Sequence, residues 1–199
     1  MILDTNQIYF PAEDTFLLMR AALREVKHGD RVLEVGTGSG AVAKAVMDVA
    51  PQTVATEINP HAAQYAGEQG VNVIRGNLLD PLAGEFDLIV FNAPYLPTMP
   101  EERLNDWLEF ALDGGVTGRE VIEKFLPDAV LHLAKFGRIL LLISSSTGLA
   151  EIQELCRRYA MICIVADSEK MEDGEMLYVL RISRDLCCFP DGSCQSRRA

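Results

Sequence analysis

Short apolar runs recur along the chain, each closing on glycine, proline or a polar cluster and each followed by residues with helical spacing. Residues 31–35, 53–58, 71–74, 86–90 and 138–143 predict buried strands, the last being the most apolar and the most central. Residues 16–26, 41–49, 59–69, 119–134 and a segment opened by 144–148 that runs to about 159 predict helices. Strands at 161–166 and 176–182, joined by the turn Glu172-Asp173-Gly174, predict an antiparallel return. The pattern is α/β. In open sheets of this kind ligands bind outside the carboxyl ends of the strands, so the residues closing each apolar run are the first candidates for chemistry.

The first strand ends in Gly36-Thr37-Gly38-Ser39-Gly40 and leads into a helix, an arrangement that lets backbone approach a ligand at the helix start. A dinucleotide loop is spaced Gly-x-Gly-x-x-Gly. Here Gly36, Gly38 and Gly40 alternate, and Glu34 precedes them. That carboxylate repels a pyrophosphate and suits a cation, and S-adenosylmethionine carries a sulfonium and an ammonium but no phosphate. The second strand closes on Glu57, about twenty residues past the loop, where a ribose diol would be gripped. The third closes near Asn77, within reach of an adenine. Either residue alone could be loop punctuation; three successive strand ends with hydrogen-bonding groups argue for a site.

The fourth strand runs into Phe91-Asn92-Ala93-Pro94-Tyr95-Leu96-Pro97. Alone, Asn-x-Pro is an ordinary turn. Following a buried strand, it places a carboxamide, a ring and two prolines at the mouth of the same crevice. The connection at 98–112 is long enough to be a substrate lid or wall, while the three-residue spacing of Trp107 and Phe110 is that of core residues. Ser144-Ser145-Ser146-Thr147 read as helix caps, with no histidine nearby to make one a nucleophile. Pro11-Ala12-Glu13-Asp14-Thr15 read as a helix start.

With 199 residues and 49% hydrophobic residues, a single domain over 1–183 is expected, with a loose tail at 184–199. No apolar run approaches a bilayer span and the N-terminus lacks a leader pattern, so a cytoplasmic protein is expected. The five cysteines, three of them at 187, 188 and 194, suggest no disulfide framework, and no metal is assigned. A net charge of −11, with basic clusters only at Arg157-Arg158 and Arg197-Arg198, argues against duplex DNA as the main ligand.

Glu34 with its glycine loop, Glu57, and seven strands with an antiparallel last pair resemble a class I S-adenosylmethionine methyltransferase. This implies a mostly parallel, Rossmann-like sheet with helices on both faces. Asn92-Ala93-Pro94-Tyr95 is similar to the Asn-Pro-Pro-Tyr motif of enzymes that methylate planar nitrogens. Tyr9-Phe10-Pro11-Ala12-Glu13-Asp14-Thr15-Phe16-Leu17-Leu18 and Gly114-Gly115-Val116-Thr117-Gly118-Arg119-Glu120 narrow the resemblance to the small archaeal and eukaryotic HemK-type release-factor glutamine methyltransferases. It spans about residues 7–182. Two positions depart from the pattern: Ala93 replaces a proline, and Asn77 stands where an aspartate is common.

The resemblance implies that Thr15, Glu34, Gly36, Gly38, Gly40, Glu57, Asn77, Leu78 and Asn92 line the cofactor. It also implies that Asn92 and the Ala93 carbonyl accept the two amide N–H bonds of a glutamine, with Tyr95 packing on the amide plane and Pro94 between them in the catalytic motif. The implied substrate is the Gly-Gly-Gln loop of a release factor. The implied partner is a small zinc-binding activator subunit, docked on the edge strand Val71-Asn72-Val73-Ile74. Methylation of adenine N6 in DNA or RNA, methylation of protein lysine, and a non-catalytic cofactor-binding scaffold are the competing readings.

Overall fold

The computed structural model describes residues 2–102 and 106–184. The cysteines at 187, 188 and 194, the Arg197-Arg198 pair and the proposed tail from 185 onward lie outside the described residues, as do positions 103–105 of the long connection. The strands are β1 (Val32–Val35), β2 (Thr53–Glu57), β3 (Val73–Arg75), β4 (Phe86–Asn92), β5 (Leu133–Ser144), β6 (Ile162–Lys170) and β7 (Met176–Ser183). The helices are α1 (Glu13–Glu25), α2 (Ala41–Met47), α3 (Pro60–Glu68), α4 (Glu120–Leu131) and α5 (Leu149–Arg158). They build one seven-stranded sheet in the order β3-β2-β1-β4-β5-β7-β6. Neighbours from β3 through β5 are parallel, and β7 runs antiparallel to both β5 and β6.

Alternation along the central strands sends side chains to two cores, because successive Cβ atoms point to opposite faces. Leu33, Ile89, Phe91, Ile139, Leu141 and Ile143 pack with Ile122, Phe125 and Leu126 of α4 and Ile152 and Cys156 of α5. Val32, Leu88, Val90, Leu140 and Leu142 pack with Leu17, Leu18, Ala21 and Ala22 of α1 and Val42 and Val46 of α2. Both faces of the sheet are thus covered, which is why the strands read as continuous apolar runs.

Several boundaries differ from the sequence reading. Helix α1 begins at Glu13, not 16, with Glu13 and Asp14 in its first turn where the helix dipole favours carboxylates. The edge strand begins at Val73; Val71 is buried against α2 and α3, and pairing with β2 starts at Ala55↔Val73. Helix α4 stops at Leu131 and β5 starts at Leu133, five residues before the run that marked it. Gly137 therefore lies inside the strand, where a Cβ would come within 2.8 Å of the Phe86 carbonyl oxygen at the register shift between β4 and β5. The serine cluster does not cap α5, whose N-cap is Gly148. Instead Ser144 Oγ contacts Ser146 Oγ at 2.5 Å, and Ser145 Oγ accepts the Met176 N–H, bracing the turn against β7.

At the end of the sheet opposite the strand carboxyl termini, Glu25, the last residue of α1, meets two buried arginines. Arg181 Nε donates to Glu25 Oε1 at 3.1 Å and Arg138 Nε to Oε2 at 3.4 Å. Arg138 Nη2 reaches Asp30 at 2.7 Å and its Nη1 the Asp87 carbonyl at 2.8 Å. Arg138 joins β5 to β4 and α1, and Arg181 joins β7 to α1.

Candidate active site

The carboxyl ends of β1, β2 and β4 border a cleft of about 370 Å³, within the usual size of a small-molecule site. Along it lie Thr15, Glu34, Gly36, Gly38, Glu57, Asn77, Leu78, Asn92 and Pro94. Gly36, Gly38 and Gly40 have φ of 61°, 54° and 83°, a region in which any side chain is strained. Gly40 does not line the cleft. It faces away from it, and a Cβ there would meet Val71 Cγ2 at 2.9 Å, so the third glycine serves the packing of α2 on α3.

Two buried carboxylates hold this loop. Glu34 Oε2 accepts the Thr37 hydroxyl and, at 2.9 Å, the Ala43 N–H. Glu57 accepts the Gly38 N–H at 2.8 Å on one oxygen and the Asn59 N–H at 2.9 Å on the other. Burial pushes the Glu34 carboxyl up to about 7, opposed by those two hydrogen bonds and reinforced by the charge of Glu57. Burial also raises Glu57, against three backbone hydrogen bonds. A floor of two desolvated carboxylates is hostile to phosphate and receptive to a cation. Glu57 retains acceptor capacity for a diol, because a carboxylate offers about four lone-pair positions. Asn77 sits exposed on the rim, and Leu78 beside it holds φ of 45°, a strained conformation at the cleft wall.

Asn92 closes β4. Its Nδ2 donates to Asp14 Oδ2 at 3.0 Å, while its Oδ1 is buried and has no protein partner. Asp14 Oδ2 also accepts from Tyr9 Oη at 2.9 Å and Tyr95 Oη at 3.4 Å. Burial, then the Asp14 charge, pushes both phenols well above the ordinary tyrosine range, so both keep their protons. Tyr95 lines a small adjoining cavity of about 30 Å³ with Tyr9, Asp14 and Asn92, while the Ala93 side chain packs into the core behind Asn92.

Asp14, as the shared acceptor, and Tyr9 were missed by pattern reading. Asp14 looks like any acid in a first helical turn, and only the ten-residue stretch around it carried a signal. Trp107 and Phe110 are also corrected: they lie on the cleft wall, not in the core, as a tilted ring pair with centroids 5.4 Å apart. The hydrogen bond from Trp107 N–H to Gln7 Oε1, at 2.9 Å, ties this wall to the N-terminal segment. Gln7 also accepts from the α3 cap Asn59 through its backbone carbonyl, at 2.6 Å. The long connection is thereby stitched to the segment carrying Tyr9 and Pro11, which line the cleft from the other side. Among the described residues no group of His, Cys, Asp and Glu is arranged to hold a metal, and no helix is long and apolar enough to cross a membrane.

This strand order, with a glycine loop after β1 and carboxylates closing β1 and β2, defines a class I methyltransferase, whose cofactor is S-adenosylmethionine. No family model matches the sequence. The chain is 38% identical over 149 residues to a putative protein N5-glutamine methyltransferase of Methanocaldococcus jannaschii, covering 71% of this chain and 75% of the relative. It is 37% identical over 196 residues to methyltransferase HEMK2 of Mus musculus, covering 90% and 91%. Among solved structures it resembles the E. cuniculi Mtq2–Trm112 complex, described as methylating the eRF1 translation termination factor. The TM-score is 0.74 and the identity 27%, over 90% of this chain and 99% of that one. The chain belongs to the HemK-type protein glutamine N5-methyltransferase family.

Proposed function

We propose that this protein methylates the side-chain amide nitrogen of the glutamine in the Gly-Gly-Gln loop of a translation termination release factor. The observation that carries the reading is Asn92 Oδ1, a buried acceptor without a protein partner, at the end of β4 and beside the cofactor cleft. A buried polar atom of this kind costs stability unless something bound there satisfies it. Release factor glutamine methyltransferase is also the name of relatives such as that of Gloeobacter violaceus, 34% identical over 158 residues.

The bound cofactor supplies an electrophilic methyl on a sulfonium. The protein's task is to aim a poor nucleophile at it. Asn92 Oδ1 and the Ala93 carbonyl accept the two amide N–H bonds, Tyr95 walls the amide, and Pro94 stiffens the loop. Fixing the amide nitrogen where the cofactor would present its methyl is worth several kcal/mol, on the order of other proximity effects. As positive charge moves onto nitrogen, both acceptors bind more strongly in the transition state than in the ground state. Both phenols are protonated, so neither serves as the base, and proton loss follows transfer. Thr15, Glu34, Gly36, Gly38, Glu57, Asn77 and Leu78 would hold the cofactor, and Gly40 keeps the loop's shape.

The partner is a small zinc-binding subunit that adds to the edge at β3. That strand is outermost in the sheet, and its Ile74 is 40% exposed, which fits strand addition. We place the activity in the cytoplasm and assign it to a domain over 1–183. The test is co-expression with a candidate partner, followed by mass spectrometry of a class I release factor incubated with S-adenosylmethionine. One added methyl on the Gly-Gly-Gln glutamine, lost in Asn92→Ala with cofactor binding kept, is expected. Cofactor binding with an unmodified release factor would move the assignment to another protein or to RNA.

A further inference from the structure

Asp14 is 5% exposed and collects five donors on one carboxylate: Tyr9 Oη, Asn92 Nδ2 and Tyr95 Oη on Oδ2, and the Thr15 N–H and Oγ1 on Oδ1. We propose that Asp14 is the positioning residue that turns Asn92, Tyr9 and Tyr95 into a wall of hydrogen-bond acceptors facing the nitrogen to be methylated. The inference rests on the reading of Asn92 given above and adds what sets that side chain's direction.

A carboxamide rotated by half a turn exchanges its oxygen and its NH2 within nearly the same shape, so packing alone does not choose between the two orientations. The partner does. A carboxylate that already collects donors accepts and does not donate, so only Nδ2 can face Asp14, and Oδ1 is turned away from it, buried beside the cleft without a protein partner. The same logic fixes the phenols. Each has one proton, each gives it to Asp14, and each is left with lone pairs for whatever enters. Had position 14 been a neutral amide, its own NH2 could satisfy Asn92 Oδ1 and leave the Asn92 NH2 pointing at the substrate. That wrong orientation repels an N–H donor.

An acceptor-only wall selects its ligand by chemistry. It fits a nitrogen that brings two hydrogens, as a primary carboxamide does, and fits an oxygen or sulfur nucleophile badly. Asp14 is placed for this by α1. It occupies the helix's first turn, where the dipole favours a negative charge, and the buried stripe of Leu17, Leu18, Ala21 and Ala22 anchors the helix on the sheet. Its neighbour Thr15 lines the cofactor cleft, so one turn of helix touches both halves of the site.

The experiment uses the full chain co-expressed with its partner subunit, with S-adenosylmethionine and a release factor as reactants. Asp14→Asn is expected to lower kcat by about 30-fold or more, the scale of one misdirected charged hydrogen bond, with the cofactor Kd changed less than about fivefold. Adding Asn92→Asp to Asp14→Asn puts an acceptor-only group at position 92, so the amide at position 14 must donate to it. The acceptor at position 92 is restored although the phenols, which share the same Asp14 oxygen, are not, so kcat is expected to recover in part, by about tenfold over Asp14→Asn alone. A purely structural role for Asp14 gives no such recovery, and its absence overturns the proposal. So does a rate loss fully accounted for by weaker cofactor binding.

If Asp14→Asn does not fold, the wild-type protein still decides. One Asn92 side-chain amide proton should be shifted downfield and protected from exchange by the carboxylate, and two equivalent, fast-exchanging protons overturn the proposal. An active Asn92→Ala sinks the functional reading itself. An inactive Asn92→Ala beside an Asp14→Asn variant within threefold of wild type sinks only the role of Asp14.

Discussion

At the C-terminal end of α1, Glu25 receives Arg138 and Arg181, and no side-chain polar atom of that cluster is left buried without a partner. At its N-terminal end, about 16 Å away along the axis, Asp14 gathers Asn92 and two tyrosines, and there the Asn92 oxygen is left open. The same helix thus carries two buried carboxylates whose surroundings follow different rules. Where the fold only has to be held, opposite charges close on one another. At the cleft, the carboxylate holds neutral groups, and one buried acceptor has no protein partner. An unpaired buried acceptor is a stability cost, and the proposed substrate N–H would remove it.

Asn92→Ala gives the largest effect that would sharpen this contrast. Removing one acceptor aimed at the transition state is expected to cost about 10²–10³-fold in kcat, as for other preorganised hydrogen-bond groups, while the midpoint of thermal unfolding stays level or rises. A variant that loses activity only because it unfolds would break the comparison. Glu25→Ala should do the reverse. It removes the carboxylate that two buried guanidinium groups share, leaving Arg138 on Asp30 and Arg181 on Ser183, and is expected to cost about 3 kcal/mol in urea unfolding, with kcat kept wherever the protein remains folded.

Glu34 tests a third case, a buried carboxylate whose partners are a hydroxyl and a backbone N–H and no guanidinium. Its folded pKa is raised from 4.5 to about 7. The sign follows: below about 4.5 it is protonated folded or unfolded and costs nothing, and as pH rises through 7 the folded protein must bury a charge. Its contribution to stability is therefore lost between those values, by on the order of 3 kcal/mol. A cationic cofactor prefers the ionised form, so its Kd should tighten by about tenfold from pH 6 to pH 8, and Glu34→Gln should flatten that slope in calorimetry. The smallest effect is Gly40→Ala. Positive φ and the approach to Val71 are expected to cost about 1–3 kcal/mol in thermal unfolding, because the third glycine is packed against Val71 and Ala66.

The strand ends at Glu34, Glu57 and Asn92 were legible because β1, β2 and β4 are buried on both faces and terminate abruptly in loop residues. The weakly patterned parts were not. The start of β5 at Leu133 is hidden by Lys135 and Phe136, which are exposed because the strand there extends past the core and pairs only with the beginning of β4. Trp107 and Phe110 share the spacing of core aromatics, and nothing local distinguishes a ring over a cleft from a ring under a helix. Asp14 and Glu25 were unremarkable acids at the two ends of a helix, and each takes its role from partners more than seventy residues away, Asn92 for the first and Arg138 for the second.

The sequence by itself determined the order of strands and helices, the glycine loop between two acidic strand ends, and the residue types at the mouth of β4. These follow from period, burial and turn chemistry, which act between neighbours in the chain. Only the tertiary structure decided which carboxylate pairs with arginines and which with amides, which Asn92 atom meets Asp14, and which glycine packs against Val71. Those outcomes depend on groups brought together through the sheet, and hydrogen-bond direction is fixed by the partner a side chain meets, not by the residues beside it.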